Sequence, residues 1–199
     1  MPIPNLVLAS HNAGKIAEFS RLLGPFGISL EAPWAHSLDV VEEVGDTYFE
    51  NARLKAQVMA QRFGVYALAD DSGIEVDALG GKPGVRSARF VSDNPWENSR
   101  EILLRLMGIA LPERGARMVA ALVVVSPDGR EMAAVEGEMK GVILTWPRGV
   151  NGFGFDPIFS VDGGSTSLAE WDDQAKDAVS HRGQAVRRLA ATWGLPPGS

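Results

Sequence analysis

The chain has 199 residues, of which 45% are hydrophobic and 22% are charged, and its formal net charge is −6. This composition is typical of a folded protein of one large domain or two lobes, and the acidity argues against a protein that holds a nucleic-acid backbone over a broad surface. Because the chain has no cysteine, disulfides and thiolate metal sites are excluded. The start MPIPNLVLAS lacks the features of a signal peptide, and no segment has the roughly 18 apolar residues of a membrane span, so we expect a cytoplasmic enzyme.

The N-terminal part of the chain is predicted to form a strand, a polar turn and two helices. Residues 5–9 are apolar and predict a short strand. Apolar residues at helical spacing over 16–23 predict a helix that stops at Gly24-Pro25. Thr47 and Glu50 have the spacing of a capping box, which predicts the start of a second helix.

The next segment is predicted to contain a buried strand and a third helix. Residues 65–69 predict the strand, which we expect to end at the polar segment 70–73. The glycine-rich segment 79–84 is too irregular for a regular element. Asn94 followed by Pro95 predicts the start of the third helix.

The remainder of the chain is predicted to be rich in strands and to close with a helix. Residues 118–125 and 131–139, separated by turn residues, predict an antiparallel hairpin, and residues 141–144 predict one more strand. Ser180 is expected to cap the last helix. The sequence as a whole therefore predicts a mixed α/β fold.

The turn after the first strand is the first candidate site. It reads Ser10-His11-Asn12-Ala13-Gly14-Lys15. A helix N-terminus offers free N–H groups and partial positive charge to phosphate oxygens, and Lys15 adds a full charge. The turn lacks the ending of a Walker A loop. An ordinary capped helix with a surface lysine would explain the same residues.

Two acidic pairs form the second candidate site. Adjacent side chains on a strand point to opposite sides, so at most one of Asp70 and Asp71 faces a given pocket. Such a carboxylate could hold Mg²⁺, activate water or cap the next turn. If the loop with Glu42 and Glu43 folds toward Asp71, both places could share one hard cation. Solvated loop charge is the alternative for Glu42 and Glu43.

Two later segments could bind the rest of a nucleotide. In Phe153-Gly154-Phe155-Asp156, a ring could stack on a base and the carboxylate could accept hydrogen bonds from base N–H groups. An aromatic corner packed in the core is the alternative. Lys176, His181 and Arg182 lie near the start of the last helix and could bind phosphate or a purine carbonyl. With three histidines and no cysteine, a zinc site and a nucleophilic triad are not predicted.

Five stretches, LVLASHNAGKIAEF, TYFENARLKA, LADDSGIEVDALGGKPGVRSARF, GFGFDPIF and AVSHRGQAVRRL, extend over nearly the whole chain. In these stretches the chain resembles the inosine triphosphatase family, also called Ham1-like or non-canonical purine NTP pyrophosphatases. The resemblance implies one domain over residues 1–199, an elongated α/β fold with helices on both sides of a mixed sheet, and two lobes around a central nucleotide cleft. It also implies a homodimer and the hydrolysis, with Mg²⁺, of ITP, dITP and XTP to the monophosphate and pyrophosphate.

The resemblance also implies a role for individual residues. Asp71 matches the family's catalytic acid, and it would share metal coordination with Glu42 or Glu43. The implied substrate-binding residues are Ser10, His11, Asn12, Ala13, Gly14, Lys15, Ser72, Phe153, Gly154, Phe155, Asp156, Lys176, His181 and Arg182. Two positions depart from the family pattern: His11 stands where glycine is common, and Phe155 stands where tyrosine is frequent. Both changes could alter affinity or substrate range.

Two other functions compete with this one. A Maf-type nucleotide pyrophosphatase also begins with a Leu-Ala-Ser strand end, but that family continues with Ser-Pro-Arg-Arg, unlike the turn in this chain. A nucleotide-binding regulator that does not hydrolyse its ligand is the second alternative. The presence of Lys15, Asp71 and Lys176 argues against it, because a sensor could dispense with a catalytic acid.

Overall fold

The structure, a computed structural model, describes residues 5–31, 41 and 43–196. The strands are β1 (Leu6–Leu8), β2 (Leu30–Glu31), β3 (Tyr66–Val76), β4 (Lys82–Pro83), β5 (Gly115–Val125), β6 (Glu131–Ile143) and β7 (Phe159–Ser160). The α-helices are α1 (Ala13–Leu23), α2 (Tyr48–Phe63), α3 (Pro95–Arg105), α4 (Asp173–Val179) and α5 (His181–Thr192). The predicted α/β class is confirmed: the strands form one sheet in the order β2-β1-β3-β5-β6-β7, with β4 paired to β3. No helix among the described residues is long and apolar enough to cross a membrane.

The chain divides into two compact units. Unit 1 contains Met1–Asp71, Ala120–Gly137 and Arg182–Ser199. Unit 2 contains Ser72–Val119 and Glu138–His181. Each unit has a hydrophobic core of its own, and the boundary in β3 falls between Asp71 and Ser72.

The core of unit 1 follows the two-residue alternation of its strands. β1 pairs in parallel with β3, with Leu8 opposite Leu68, and both leucines pack in one cluster with residues of α1 and α5. Val7, Ala67 and Ala69 belong to another cluster, formed with α2. Because side chains alternate along a strand, even-numbered residues of β3 in this unit face α1 and α5, and odd-numbered residues face α2. This alternation decides which helices meet each acidic residue of β3.

The core of unit 2 joins helix α3 to the C-terminal part of β3 and to the later strands. Ile102 and Leu106 pack with Ile74 and Val76, and residues of β5 and β6 complete the cluster. Gly141 in β6 has no room for a side chain, because an added Cβ would overlap the backbone oxygen of Ser160. The β6–β7 pair therefore depends on a close approach that only glycine allows.

Two of the predicted helix starts, those of α2 and α3, are confirmed by their capping contacts. Thr47 accepts a hydrogen bond from the Glu50 N–H at 3.2 Å, and Glu50 accepts one from the Thr47 N–H at 3.0 Å, which completes the capping box. Asn94 caps α3 through the Trp96 N–H at 2.9 Å. α5 begins at His181, directly after Ser180. The starts of α2 and α3 follow from local hydrogen bonding, so the sequence could specify them.

The predicted end of the buried strand is wrong. β3 does not stop before Asp70 but continues through the acidic residues to Val76. The carboxylate of Asp70 binds Lys15, and that of Asp71 binds the Asn51 amide, and these partners offset the cost of placing the two groups inside the strand. The acidic pair therefore lies inside a strand of 11 residues.

Three further expectations need correction. Residues 141–143 extend β6 and do not form another strand. The segment 79–84 contains the short strand β4, which pairs antiparallel with β3. Lys176 does not lie at the entrance of the last helix, because it belongs to the separate helix α4, which ends before α5 begins. The predicted hairpin is confirmed, since β5 and β6 are neighbours joined by the turn 126–130.

Candidate functional site

Two side chains of the turn between β1 and α1 accept hydrogen bonds from backbone N–H groups of the same turn. Asn12 is the N-cap of α1 and accepts a hydrogen bond from the Lys15 N–H at 3.1 Å. Ser10 Oγ accepts one from the Asn12 N–H at 3.2 Å. His11, Asn12 and Ala13 are exposed, and Gly14 is half-buried. The turn is therefore an ordinary capped helix start that also presents its backbone to solvent, as an anion site requires.

Asp70 is the centre of a buried ionic cluster in unit 1. Its Oδ2 lies 2.6 Å from Lys15 Nζ and 3.4 Å from Arg182 Nε. Arg182 Nη1 in turn lies 2.9 Å from Glu18 Oε2. The carboxylates of Asp70 and Glu18 and the Arg182 guanidinium are almost completely buried, while Lys15 keeps 18% of its side chain exposed. Residues from α1, β3 and α5 are thus joined by charge in one place.

The charges in this cluster are set by burial and by mutual pairing. Burial alone would raise the pKa of Asp70, but Lys15 and Arg182 lower it by more, so that it lies well below its usual range. Burial lowers the pKa of Lys15, and Asp70 partly offsets this effect. A carboxyl group with so low a pKa stays ionised at neutral pH and accepts protons poorly. Asp70 is therefore suited to hold Lys15 and Arg182, and poorly suited to act as a base.

Asp71 forms its side-chain contacts with residues of α2, a different set from those that pair with Asp70. Its Oδ1 lies 3.0 Å from Lys55 Nζ, and its Oδ2 accepts a hydrogen bond from Asn51 Nδ2 at 3.2 Å. Lys55 Nζ also contacts Glu43 Oε1 at 2.7 Å and the backbone oxygen of Asp70 at 2.9 Å. The prediction that Asp70 and Asp71 face opposite sides is confirmed by these contacts.

The Asp71 carboxyl group differs from Asp70 in its affinity for a proton. Burial raises the pKa of Asp71; Lys55 opposes this rise and Glu43 adds to it, and the pKa lies above its usual value. Burial lowers the pKa of Lys55, but Asp71 and Glu43 raise it by more, so the ammonium group stays charged. Of the two neighbouring carboxylates, Asp71 is consequently the one with the properties of a general base.

The oxygen atoms around Lys55 have the chemistry of a site for a hard cation. Glu43, Asp71 and the backbone carbonyl of Asp70 each direct an oxygen at one ammonium group, at distances of 2.7, 3.0 and 2.9 Å. Oxygen ligands of this kind are those that Mg²⁺ prefers, and Mg²⁺ commonly uses only one or two protein carboxylates. Among the described residues, no group of three or more His, Cys, Asp or Glu side chains is arranged to hold a metal ion. Glu42, the other predicted ligand, lies outside the described residues.

A second polar cluster lies in unit 2 around Asp156. Asp156 Oδ2 lies 2.6 Å from Lys176 Nζ and accepts a hydrogen bond from the Phe153 N–H at 2.8 Å. The Lys176 ammonium also lies 4.8 Å from the centre of the Phe153 ring. Both charged side chains are buried. Gly152 has a φ of +70°, and a Cβ at this position would overlap the Asp156 carboxylate, so glycine is required there.

The remaining predicted site residues are placed as follows. Ser72 is half-buried in β3, one residue after Asp71. Gly154 and Phe155 are half-buried, and the Gly154 carbonyl accepts a hydrogen bond from Ser99 Oγ at 3.3 Å. His181 is buried at the first position of α5. Unit 1 thus brings Lys15 and Arg182 together at Asp70, and Glu43 and Asp71 together at Lys55. Unit 2 brings together Phe153, Asp156 and Lys176.

Three residues of the unit 1 clusters were missed by the sequence analysis: Glu18, Asn51 and Lys55. Asn51 and Lys55 are four positions apart on α2, so they share a face beside the buried Ala52 and Ala56. Polar residues at this spacing along the apolar stripe of a helix are a signal that could have identified them. Glu18 gives a similar signal, since it lies four positions before Leu22 on the apolar face of α1.

Comparison with known proteins gives a consistent result over the whole chain. The model of the Ham1 family matches residues 6–192. The dITP/XTP pyrophosphatase of Gloeobacter violaceus is 48% identical over 184 residues, which cover 92% of this chain and 91% of that protein. The dITP/XTP pyrophosphatase of Deinococcus radiodurans is 46% identical over 192 residues, with 96% and 94% covered. The structure of a HAM1 protein from Coxiella burnetii superposes with a TM-score of 0.83 at 36% identity, and covers 96% of this chain and 99% of that one.

Proposed function

The chain belongs to the Ham1 family, and from this membership we propose that it hydrolyses non-canonical purine nucleoside triphosphates, namely dITP, ITP and XTP, to the monophosphate and pyrophosphate. One structural observation carries the proposal: the carboxylates of Asp71 and Glu43 converge on the Lys55 ammonium, and the pKa of Asp71 is raised. Such a site can combine a hard cation with a general base, which is what hydrolysis of a phosphoanhydride requires. The Maf-type alternative is not favoured, because the family match extends over nearly the whole chain.

We propose that the enzyme depends on Mg²⁺. The donor set supports this proposal, since the carboxylates of Glu43 and Asp71 are hard oxygen ligands directed at one point. When bound, the ion would offset charge on the triphosphate and orient it. Glu42 stays a candidate ligand on the basis of the sequence resemblance.

Asp71 is proposed as the group that accepts the proton of the attacking water. The water oxygen forms a bond to the α-phosphorus, the bond from this phosphorus to the α–β bridging oxygen breaks, and pyrophosphate leaves with the electron pair. Asp70 is the weaker candidate for the base, because Lys15 and Arg182 hold its pKa well below the usual range. The raised pKa of Asp71 supports its assignment, since a base is most effective when its pKa approaches the operating pH.

Phosphate binding is assigned to the start of α1 and to Lys15. The N-terminal N–H groups of α1 and the partly exposed side chain of Lys15 support this assignment. On the basis of the sequence resemblance, binding of the nucleobase is assigned to Phe153–Asp156. Binding of base and phosphate is assigned to Lys176, His181 and Arg182. The ring of Phe153, which the Lys176 ammonium contacts, has the chemistry expected of a surface that stacks on a base.

We also propose a homodimer in the cytoplasm. The dimer is an inference from the family resemblance, and sedimentation equilibrium would test it. The location follows from the proposed substrates, because an enzyme that clears altered nucleotides acts where the nucleotide pool is used.

Product analysis tests the proposed reaction. The protein is incubated with Mg²⁺ and with dITP, ITP, XTP, GTP or ATP, and pyrophosphate and orthophosphate are measured separately. We expect pyrophosphate as the first product and faster turnover of dITP, ITP and XTP than of ATP. Orthophosphate as the first product would reject cleavage between the α and β phosphates, and binding without any product would favour the non-hydrolysing regulator.

A further inference from the structure

Asn51 is a buried polar residue whose side chain links Asp71 of β3 to the loop that carries Glu43. It lies in the second turn of α2, and only 2% of its surface is exposed. Its Nδ2 donates to Asp71 Oδ2 at 3.2 Å, and its Oδ1 accepts from the Gly45 N–H at 2.8 Å. Because a backbone N–H can only donate, the amide oxygen must face Gly45 and the amide nitrogen must face Asp71. The amide nitrogen and the amide oxygen of Asn51 therefore each have one defined hydrogen-bond partner.

The partner on the loop side, Gly45, lies too close to α2 to carry a side chain. A Cβ on Gly45 would lie 2.7 Å from Glu50 Cβ and 2.8 Å from Asn51 Oδ1. The next two backbone N–H groups, of Asp46 and Thr47, both donate to Glu50 Oε2, at 2.8 and 3.0 Å. Glu50 and Asn51 therefore hold residues 45–47, the end of the loop that carries Glu43, against the first turns of α2.

Glu43 lies on this loop, two residues before Gly45, and shares Lys55 with Asp71. The distance between the Glu43 and Asp71 carboxylates consequently depends on where the loop is held relative to β3. Glu50 holds the loop to α2 only, whereas Asn51 contacts both the loop and Asp71. A neutral amide can make this link without adding a third charge to compete with a cation.

We propose that Asn51 is a positioning residue that sets the separation of Glu43 and Asp71 and thereby the affinity of this site for a divalent cation. The inference rests on the metal dependence proposed above. Asn51 itself binds neither the cation nor the nucleotide. Partners that orient metal ligands typically change metal affinity by about 10–100-fold when they are removed, so loss of the Asn51 amide should have an effect of that size.

The test measures binding of the metal alone. Mn²⁺ serves as the probe, because carboxylate sites that take Mg²⁺ also take Mn²⁺ and its unbound fraction is read directly by electron paramagnetic resonance. Without nucleotide, Asn51→Ala should bind Mn²⁺ about tenfold or more weakly than the wild type. In turnover assays, saturating Mg²⁺ should largely restore the kcat of Asn51→Ala, while the Mg²⁺ concentration at half-maximal rate rises. A purely structural role would lower kcat at all metal concentrations.

Asn98→Ala is the matched control. Asn98 is equally buried, accepts hydrogen bonds from the Val91 and Ser92 N–H groups, and donates to two backbone carbonyls, so it holds a loop to a helix as Asn51 does. It has no acidic partner among these contacts, so its loss should destabilise unit 2 without changing Mn²⁺ affinity. Circular dichroism confirms that each variant is folded before binding is measured.

Gly45→Ala tests the other end of the link while leaving Asn51 in place. Its Cβ would push the loop away from the Asn51 amide, so Mn²⁺ affinity should fall as it does in Asn51→Ala. Since both substitutions break one link, the double variant should bind Mn²⁺ scarcely more weakly than either single variant.

Each outcome of this set decides for or against the proposal. Wild-type Mn²⁺ affinity in Asn51→Ala, or an equal loss in Asn98→Ala, would overturn it while leaving the hydrolysis reaction intact. A wild-type protein that binds no Mn²⁺ would reject the metal site and the role of Asn51 together. Failure of the proposed reaction is seen separately, as the absence of pyrophosphate from wild-type protein with dITP.

Discussion

Asp70 and Asp71 are consecutive residues of β3, yet their carboxylates bind side chains from different helices. Asp70 contacts Lys15 of α1 and Arg182 of α5, whereas Asp71 contacts residues of α2. The alternation of side chains along a strand produces this division. Two chemically identical groups therefore differ in charge behaviour: the pKa of Asp70 is lowered by its cations, and the pKa of Asp71 is raised by burial.

Replacement of Asp71 by Asn should remove the base without changing the size of the side chain. We expect kcat for dITP to fall by about 10²–10⁴-fold, the usual contribution of a general base. Nucleotide binding should stay measurable by calorimetry, since Lys15 and the start of α1 are unchanged. Steady-state kinetics provide the measurement, and a variant with the wild-type kcat would contradict the role assigned to Asp71.

Replacement of Asp70 by Asn should act mainly on stability. It leaves Lys15 and Arg182 without their shared carboxylate, and removal of one partner from a buried ion pair costs about 3–5 kcal/mol of unfolding free energy. Urea unfolding at pH 7 measures this loss.

The same variant gives a prediction for pH. The folded-state pKa of Asp70 lies below the ordinary value of 3.8, so its ionised form stabilises the fold. The stabilisation is complete when the pH lies above the ordinary pKa of 3.8. It is lost as the pH falls from that value toward the lower folded-state pKa. The difference in stability between wild type and Asp70→Asn should therefore be constant from pH 5 to 7 and narrow below pH 3.8. A difference that grows on acidification would show that Asp70 is not held ionised by Lys15 and Arg182.

Replacement of Lys55 by Met should increase the stabilisation that Mg²⁺ provides. The ammonium of Lys55 neutralises Glu43 and Asp71, and without it the two carboxylates repel each other until a cation binds. A tenfold gain in Mg²⁺ affinity would add about 1.4 kcal/mol at saturation. Thermal unfolding with Mg²⁺ and with EDTA measures the effect. Lys140→Met is the control, because Lys140 is exposed and its contact, at 3.5 Å, is with Glu138. An equal Mg²⁺-induced shift in Tm for wild type and Lys55→Met would contradict the prediction.

Replacement of Gly152 by Ala should weaken binding of dITP. The new Cβ would overlap the Asp156 carboxylate and displace it from Lys176 and from the Phe153 N–H. We expect KM for dITP to rise about tenfold, the loss that corresponds to about 1.4 kcal/mol of binding free energy.

Gly129→Ala controls for the backbone cost of that substitution. Gly129 also has a positive φ, of 84°, but a Cβ there would make only an ordinary 3.6 Å contact with Gln61. Both variants should lose about 1–2 kcal/mol of stability from the left-handed backbone conformation. Only Gly152→Ala should change KM, and an equal KM in both variants would show that Asp156 does not contribute to nucleotide binding.

The sequence alone specified those features that depend on neighbouring residues. The capping box of Thr47 and Glu50, the Asn94 cap and the β5–β6 hairpin were predicted correctly, because caps and turns are made by residues a few positions apart. The opposite orientation of Asp70 and Asp71 followed from the same local geometry. The five sequence stretches also identified the family, because each stretch is recognised from its own residues, whether or not the stretches lie close together in the fold.

Only the tertiary structure decided which side chains meet. The partner of Asp70 on α5, Arg182, is 112 residues away, and nothing in the pattern around either residue names the other. Asn51 and Lys55 were overlooked because their roles depend on the packing of α2 against β3. The strand was expected to end at the polar segment 70–73, and an unpaired carboxylate is costly to bury. The fold offsets this cost by supplying Lys15, Arg182 and Lys55, so that β3 continues through both acidic residues.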